Sequence, residues 1–255
     1  MNWQALILAA SRGPDDPLAK HFGLLHKCLL PIAGKPMLQR VCEALTKEAR
    51  IASIHICIED AGIIAKALPD AATFTIHPAD KSAAASALRS VATMQFPILI
   101  TTGDHALLTP EMLNDFLTAS EQSQADITIG LASAEVILQA FPNAKRTFLT
   151  FGKDRVSGCN LYGPKNQQAL KALAFWQHVE KNRKSPLKLM RAFGLRVLWA
   201  WATGRTNLHH AFSLASQKLN LHAEPILMRQ AEAAVDVDKP ADKHLAEKIL
   251  AKREL

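Results

Sequence analysis

At 255 residues, with 49% hydrophobic content and a formal charge of +7, the chain can bury a full core as one large domain or one domain with an appendage. No run of eighteen apolar residues occurs, and Met1-Asn2-Trp3-Gln4 lacks the charged start and cleavage pattern of a signal peptide, so neither a membrane span nor a leader is expected. Cys28, Cys42, Cys57 and Cys159 are scattered without a C-x-x-C pair, which argues against zinc or a disulfide framework and for a reducing, cytoplasmic setting. The positive charge calls for an anionic partner, and nucleotides, nucleic acid and lipid headgroups all qualify.

The first element is Leu6-Ile7-Leu8-Ala9-Ala10, a short apolar run of the kind that forms a buried parallel strand. Ser11-Arg12-Gly13-Pro14 follows as a turn-forming cluster. A strand ending in such a small-residue loop can lay backbone N–H groups against a phosphate chain. Next come residues 26–38, a polar segment leading into a helix. Lys27 there is placed to neutralise charge that develops during phosphoryl or nucleotidyl transfer. Lys35 most simply caps the Gly34-Lys35-Pro36 turn at the surface, so Lys27 is the preferred lysine for chemistry.

Further along, residues 53–58 read as a strand, 60–68 as a helix, 73–76 as a short strand and 81–94 as an alanine-rich helix. Residues 97–102 read as a further strand, and Pro110 suits the first position of the next helix. Alternating strands and helices predict an α/β fold with a mostly parallel, Rossmann-like sheet flanked by helices. Ligands of such sheets sit outside the carboxyl ends of the strands. Ser11 to Gly13 and Gly103-Asp104 therefore fall on one rim, with Asp104 pointing into the expected cleft. The alternative is that Asp104 only caps the turn that follows it. His105 reads as a packing or hydrogen-bonding histidine in the first instance and a substrate contact in the second.

Near the end of the chain, residues 233–242 read as a strand running into a helix that begins with Pro240. Asp236 and Asp238, two apart on an extended chain, share a face and suit a divalent cation. Capping of the last helix is the other reading for Asp238 and Asp242, and for Asp242 it is the better one.

The run LILAA-S-RG followed after a gap by K-x-L-L-P-I-A-G-K-P-M-L resembles the nucleotidyltransferases with a glycosyltransferase-A-like fold. That group includes sugar-1-phosphate, methylerythritol-phosphate and inositol-phosphate nucleotidyltransferases and the enzymes that attach nucleotides to molybdopterin. Ser11 stands where the family signature L-A-A-G-x-G has a glycine. The resemblance implies a single nucleotidyltransferase domain over residues 1–255, with a helical accessory insertion at about residues 165–222.

It also implies Mg²⁺-dependent transfer of a nucleoside monophosphate from an NTP, CTP or GTP first, to a phosphorylated acceptor, with loss of pyrophosphate. On that reading Leu8, Ala9, Ala10, Ser11, Gly13 and Gly103 hold the nucleotide, Arg12 and Lys27 act on the reacting phosphates, and Asp104 and Asp236 hold the metal. Lys239 replaces the usual threonine of the family's D-x-D-T-P-x-D segment. Ser82 and Ser86 line the base, although ordinary capping by Ser82 explains that helix start equally well. Asn160, in a G-x-N segment, approaches the acceptor, and Asp238 supports the site. Arg146 has the planar fork to hold an acceptor phosphate, or is an exposed surface arginine.

Residues 181–205 set Lys181, Arg183, Lys184, Lys188, Arg191, Arg196 and Arg205 among Leu, Phe and Trp residues, with no acidic residue between Glu180 and Glu224. A packed helical subdomain is the first expectation, and a peripheral membrane or lipid-linked acceptor contact the second. A nucleic-acid partner is not expected, because a single Tyr and no interleaved aromatics leave nothing for bases to stack on. A catalytically silent nucleotide-binding member of the same fold, or a glycosyltransferase using a nucleotide-sugar, is the alternative function.

Overall fold

The computed structural model describes residues 1–11, 15–68, 73–142, 146–180 and 206–253. Arg12, Gly13 and the basic segment 181–205 lie outside the described residues. The chain divides into two compact units, one of residues 1–114 with 235–255 and the other of residues 115–234.

In the first unit β1 (Trp3–Leu8) leads to a short helix α1 (Pro17–His21) and a 3-10 turn at Lys27–Leu29. The hairpin β2 (Pro31–Ile32) and β3 (Lys35–Pro36) follows, then α2 (Met37–Thr46). After these come β4 (Ile51–Ile58), α3 (Gly62–Ala67), β5 (Thr75–Pro78), α4 (Ala83–Val91) and β6 (Ile98–Thr102). β1 pairs in parallel with both β4 and β6, and β4 in parallel with β5, giving the order β5-β4-β1-β6. Trp3, Leu6, Ile7, Ile56, Ile98 and Ile100 are fully buried, as strands covered by helices on both faces require. The hairpin was not expected. Its loop residues Ala33 and Gly34 have φ of 46° and 78°, the left-handed pair that a two-residue turn demands. Arg40 holds this loop from α2, donating from Nε to the Ile32 carbonyl at 2.7 Å.

The division falls within α5 (Pro110–Gln122). The second unit continues with β7 (Ile127–Ser133), α6 (Ala134–Ala140), β8 (Leu149–Phe151), β9 (Asp154–Pro164), α7 (Leu170–Val179), α8 (Leu208–Leu219) and β10 (Ala223–Met228). β7 pairs in parallel with β10 and antiparallel with β9, which also takes β8. Parallel pairings predominate across the described strands, so the fold is the α/β type that the sequence implies. An apolar cavity of about 320 Å³ lies within this unit, lined by residues such as Leu131, Phe151, Trp176 and Phe212.

One expectation needs correcting. Residues 233–237 are not a strand: Ala231–Ala234 is a 3-10 turn, and residues 235–238 belong to no strand or helix. The last helix, α9, is Pro240–Arg253. The two-residue alternation nevertheless holds, since Val235 and Val237 are fully buried while Asp236 and Asp238 are not. Among the described residues no helix is long and apolar enough to cross a membrane.

At the sheet edge, His55 Nδ1 and His77 Nε2 are 2.9 Å apart, and Ser53 Oγ lies 3.1 Å from His55 Nε2. One ring nitrogen of the pair must accept, so protonating both rings sets donor against donor. Burial holds both below the ordinary value of 6.5, and His77 adds to the effect on His55. A histidine lowered in the fold contributes full stability above its unfolded value and loses it as pH falls from there through the lower folded value. The melting temperature should therefore fall between pH 7.5 and 5.5, and His77→Asn should flatten that fall. His26, also lowered by burial, keeps part of the slope in the variant. Equal slopes in the two proteins would remove the histidine pair as a cause.

Candidate active site

β1 does not stop its ladder at Leu8. Ala9 N–H donates to the Cys57 carbonyl at 2.9 Å, and Gly103 N–H to the Leu8 carbonyl at 3.0 Å. The ends of β1, β4 and β6 are thereby drawn together at the carboxyl rim. Gly103 is glycine for lack of room: a Cβ there would lie 3.0 Å from Cys28 Sγ and 3.2 Å from Ala9 Cα. Cys28 Sγ in turn donates to the Ala9 carbonyl at 3.3 Å, pinning the 3-10 turn against the loop strand. Burial pushes the Cys28 thiol up to about 12, so it packs and does not react.

This packing places Lys27 over the end of β6. Its Nζ donates to Asp104 Oδ2 at 2.6 Å and reaches Asp238 Oδ1 at 3.5 Å. Asp238 arrives because Val237 N–H donates to the Asp104 carbonyl at 3.1 Å, tethering the segment before α9 to the end of β6. Asp242 secures the other side of that segment, with Oδ2 accepting from the backbone of Asp238 and Lys239. Asp242 is thus the helix cap, as the better of its two readings has it.

The electrostatics follow from burial and proximity. Burial pushes the Asp104 carboxyl up, but the Lys27 ammonium more than reverses this and leaves it below its usual value. Burial likewise lowers Lys27, and Asp104 together with Asp238 carries it above the ordinary lysine value. Asp238 sits above its usual value: desolvation raises it, Lys27 opposes, and Asp104 and Asp236 add to the rise. The cluster thus holds carboxylates that repel one another around one cation.

Asp104 Oδ1 is buried without a well-formed hydrogen bond, although the nearby Thr102 hydroxyl helps hold the carboxyl low. Among the described residues no three His, Cys, Asp or Glu side chains converge as a ready-made metal cage. Mg²⁺ does not ask for one, since it binds through one or two carboxylates with substrate phosphates and water. Asp104 is a carboxylate of that kind, and Asp236 stands one residue before the Val237 tether to the Asp104 carbonyl.

The other expected residues fall in several places. His105 is buried, with Nδ1 3.3 Å from Thr101 Oγ1, which matches a packing histidine. Ser82 caps α4 by accepting from Ala85 N–H, and Ser86 Oγ accepts from Asp80 N–H at 2.8 Å. Lys35 pairs with Glu43 at the surface. Asn160 and Arg146 belong to the second unit. There Asn160 adopts φ of 50° in β9, and the Arg146 charge is felt by the buried Cys159.

Two residues at the rim were missed from sequence. Glu59, directly after β4, accepts from Ser11 Oγ at 3.0 Å and from Ser11 N–H at 3.2 Å. His26 Nε2 lies 3.2 Å from the same carboxylate. The only signal available was position, since Glu59 stands at a strand end on the ligand-binding rim.

An α/β fold whose strand ends gather Ser11, a lysine and carboxylates agrees with a nucleotidyltransferase, the class that the family match shows. A family model, the MobA-like NTP transferase domain, matches residues 5–206, and the chain belongs to that family. Its structure is similar to that of a hypothetical transferase from Thermus thermophilus, with 27% identity and a TM-score of 0.78 over 95% of this chain and 100% of that one. It also shares the fold of CMP:2-keto-3-deoxy-manno-octonic acid synthetase complexed with CTP (13% identity, TM-score 0.61, 99% and 100% covered). The same holds for 2-C-methyl-D-erythritol 4-phosphate cytidylyltransferase, also from Thermus thermophilus (14%, 0.54, 98% and 100%). A comparison with curated proteins returns no match.

Proposed function

We propose that the protein transfers a nucleoside monophosphate from an NTP, CTP or GTP in preference, to a phosphorylated small-molecule acceptor in a magnesium-dependent reaction. The observation that carries this reading is the pairing of Lys27 with Asp104 at 2.6 Å at the end of β6, with the second Asp104 oxygen buried and not used by the lysine. An acceptor phosphate oxygen attacks the α-phosphorus in line, the bond to the β-phosphate breaks, and pyrophosphate leaves. No general base is needed, because a phosphate oxygen is already anionic near neutral pH. Lys27 offers its ammonium to the charge growing on the α-phosphoryl oxygens. The strand end and loop at residues 8–11 would lie along the phosphate chain, and the sequence adds Arg12 and Gly13 to that set. Asp104 and Asp236 would hold the metal, with Asp238 beside them. Mg²⁺, when bound, supplies Lewis-acid shielding of the triphosphate.

Thermal stabilisation by each of the four NTPs with Mg²⁺ tests the reading. A ligand at a hundredfold its dissociation constant adds about 2.7 kcal/mol, and CTP or GTP should give the largest rise. The favoured NTP should then release pyrophosphate when phosphorylated acceptors are supplied. If no NTP stabilises the protein, or if only nucleotide-sugars do, the reading fails.

A further inference from the structure

We propose that Glu59 is a positioning residue for nucleotidyl transfer, locking the nucleotide loop at Ser11 to the turn that carries Lys27 by way of His26. This inference rests on the function proposed above. Three donors converge on one carboxylate: Ser11 N–H at 3.2 Å, Ser11 Oγ at 3.0 Å and His26 Nε2 at 3.2 Å. His26 is well placed to pass on that constraint. Its Nδ1 accepts from Cys28 N–H at 3.1 Å, which leaves the proton on Nε2, facing Glu59. The ring is 2% exposed and caps the 3-10 turn on which Lys27 is the first residue.

A glycine at position 11 would offer Glu59 only its amide. Serine adds a hydroxyl aimed at the same oxygen, so Ser11 and Glu59 act as a matched pair. A carboxylate is the right group here, because it has about four acceptor positions and no donor. A glutamine would turn its NH₂ toward the Ser11 amide, which donates to both carboxylate oxygens. The Cys28 contact to the Ala9 carbonyl is a second tie between the same two segments, so losing Glu59 loosens the loop without detaching it.

Misplacing a catalytic group by a fraction of an ångström lowers turnover more than binding. Glu59→Ala should therefore reduce kcat by about 10- to 100-fold, while KM for the NTP changes less than about threefold. Glu59→Gln should fall between the two proteins. Histidine-ring NMR supplies a readout that needs no activity. Glu59 draws the His26 titration upward against burial, with Lys27 and Asp16 the other charges facing the ring. Without Glu59 that titration should move lower still, and the Ser11 amide proton should exchange faster.

A Glu59→Ala protein with wild-type kcat overturns the proposal, as does one whose KM rises more than its kcat falls. Should Glu59→Ala not fold, the same criteria apply to Glu59→Gln. If the wild type transfers no nucleotide, the functional reading fails by itself, and an unmoved His26 resonance then separately rejects the tie.

Discussion

Asp104→Asn should abolish turnover, by about three orders of magnitude or roughly 4 kcal/mol of transition-state stabilisation, in a protein that still folds. Asparagine keeps the shape of the side chain but not the charge that a divalent cation and Lys27 both require. The side chains of Lys27 and Asp104 are only 14% and 12% exposed, so removing one partner strands the other in a poor solvent. Breaking such a buried pair costs about 3 to 5 kcal/mol, and Asp238 at 3.5 Å is near enough to offset part of it. Denaturant unfolding should show that loss without collapse. In the wild type the pair stabilises the fold above the ordinary carboxylate value of 3.8, and this is lost as pH falls through the lower folded value of Asp104. The variant should lack that acid limb. Wild-type turnover in Asp104→Asn would remove Asp104 from the metal site, and a variant that does not fold would make its role structural.

β1 and β6 were legible because strands buried on both faces are written as near-continuous apolar runs, and β4 because Ile54, Ile56 and Ile58 recur at every second position. β5 was placed two residues early, its four residues being mostly exposed or half-buried and carrying little pattern. Residues 235–238 misled for the opposite reason. Val235 and Val237 alternate with Asp236 and Asp238 as a strand would, yet the tether identified there is Val237 N–H to the Asp104 carbonyl. Alternation reports which side is buried, and a ladder needs a neighbour the sequence does not name. The hairpin at residues 31–36 was hidden because Ala33 adopts a left-handed conformation that Asn or Asp usually marks.

For the site, sequence reasoning reached Lys27 and Asp104 separately but not their ion pair. Seventy-seven residues separate them, and only the parallel order of β1 and β6 brings their segments together. Glu59 and His26 carried no motif at all. Their meaning lies in the convergence of Ser11 and His26 on the Glu59 carboxylate, which becomes visible only once the strand ends are in register.

Lys27→Ala separates catalysis from metal binding, because the two should move in opposite directions. Lys27 Nζ occupies one oxygen of Asp104 and faces Asp238, so in the nucleotide-free protein it would compete with a cation held by Asp104, the shared carboxylate. Its loss leaves Asp104 and Asp238 repelling each other uncompensated, and a divalent ion relieves that repulsion. Mn²⁺, a paramagnetic stand-in for Mg²⁺, should therefore bind the nucleotide-free variant more tightly, by about tenfold for each 1.4 kcal/mol relieved. Turnover should nevertheless fall by about 10²- to 10³-fold, the usual cost of removing a group aimed at developing charge. KM for the NTP should rise far less than kcat falls, because an interaction made chiefly in the transition state leaves ground-state binding nearly untouched. Lys27→Arg should not rescue, since a forked guanidinium cannot repeat a 2.6 Å point contact in a space shaped around an ammonium. Equal losses in kcat and NTP affinity would make Lys27 a simple binding residue. Weaker Mn²⁺ binding in Lys27→Ala would show that the lysine assembles the carboxylates instead of competing for them.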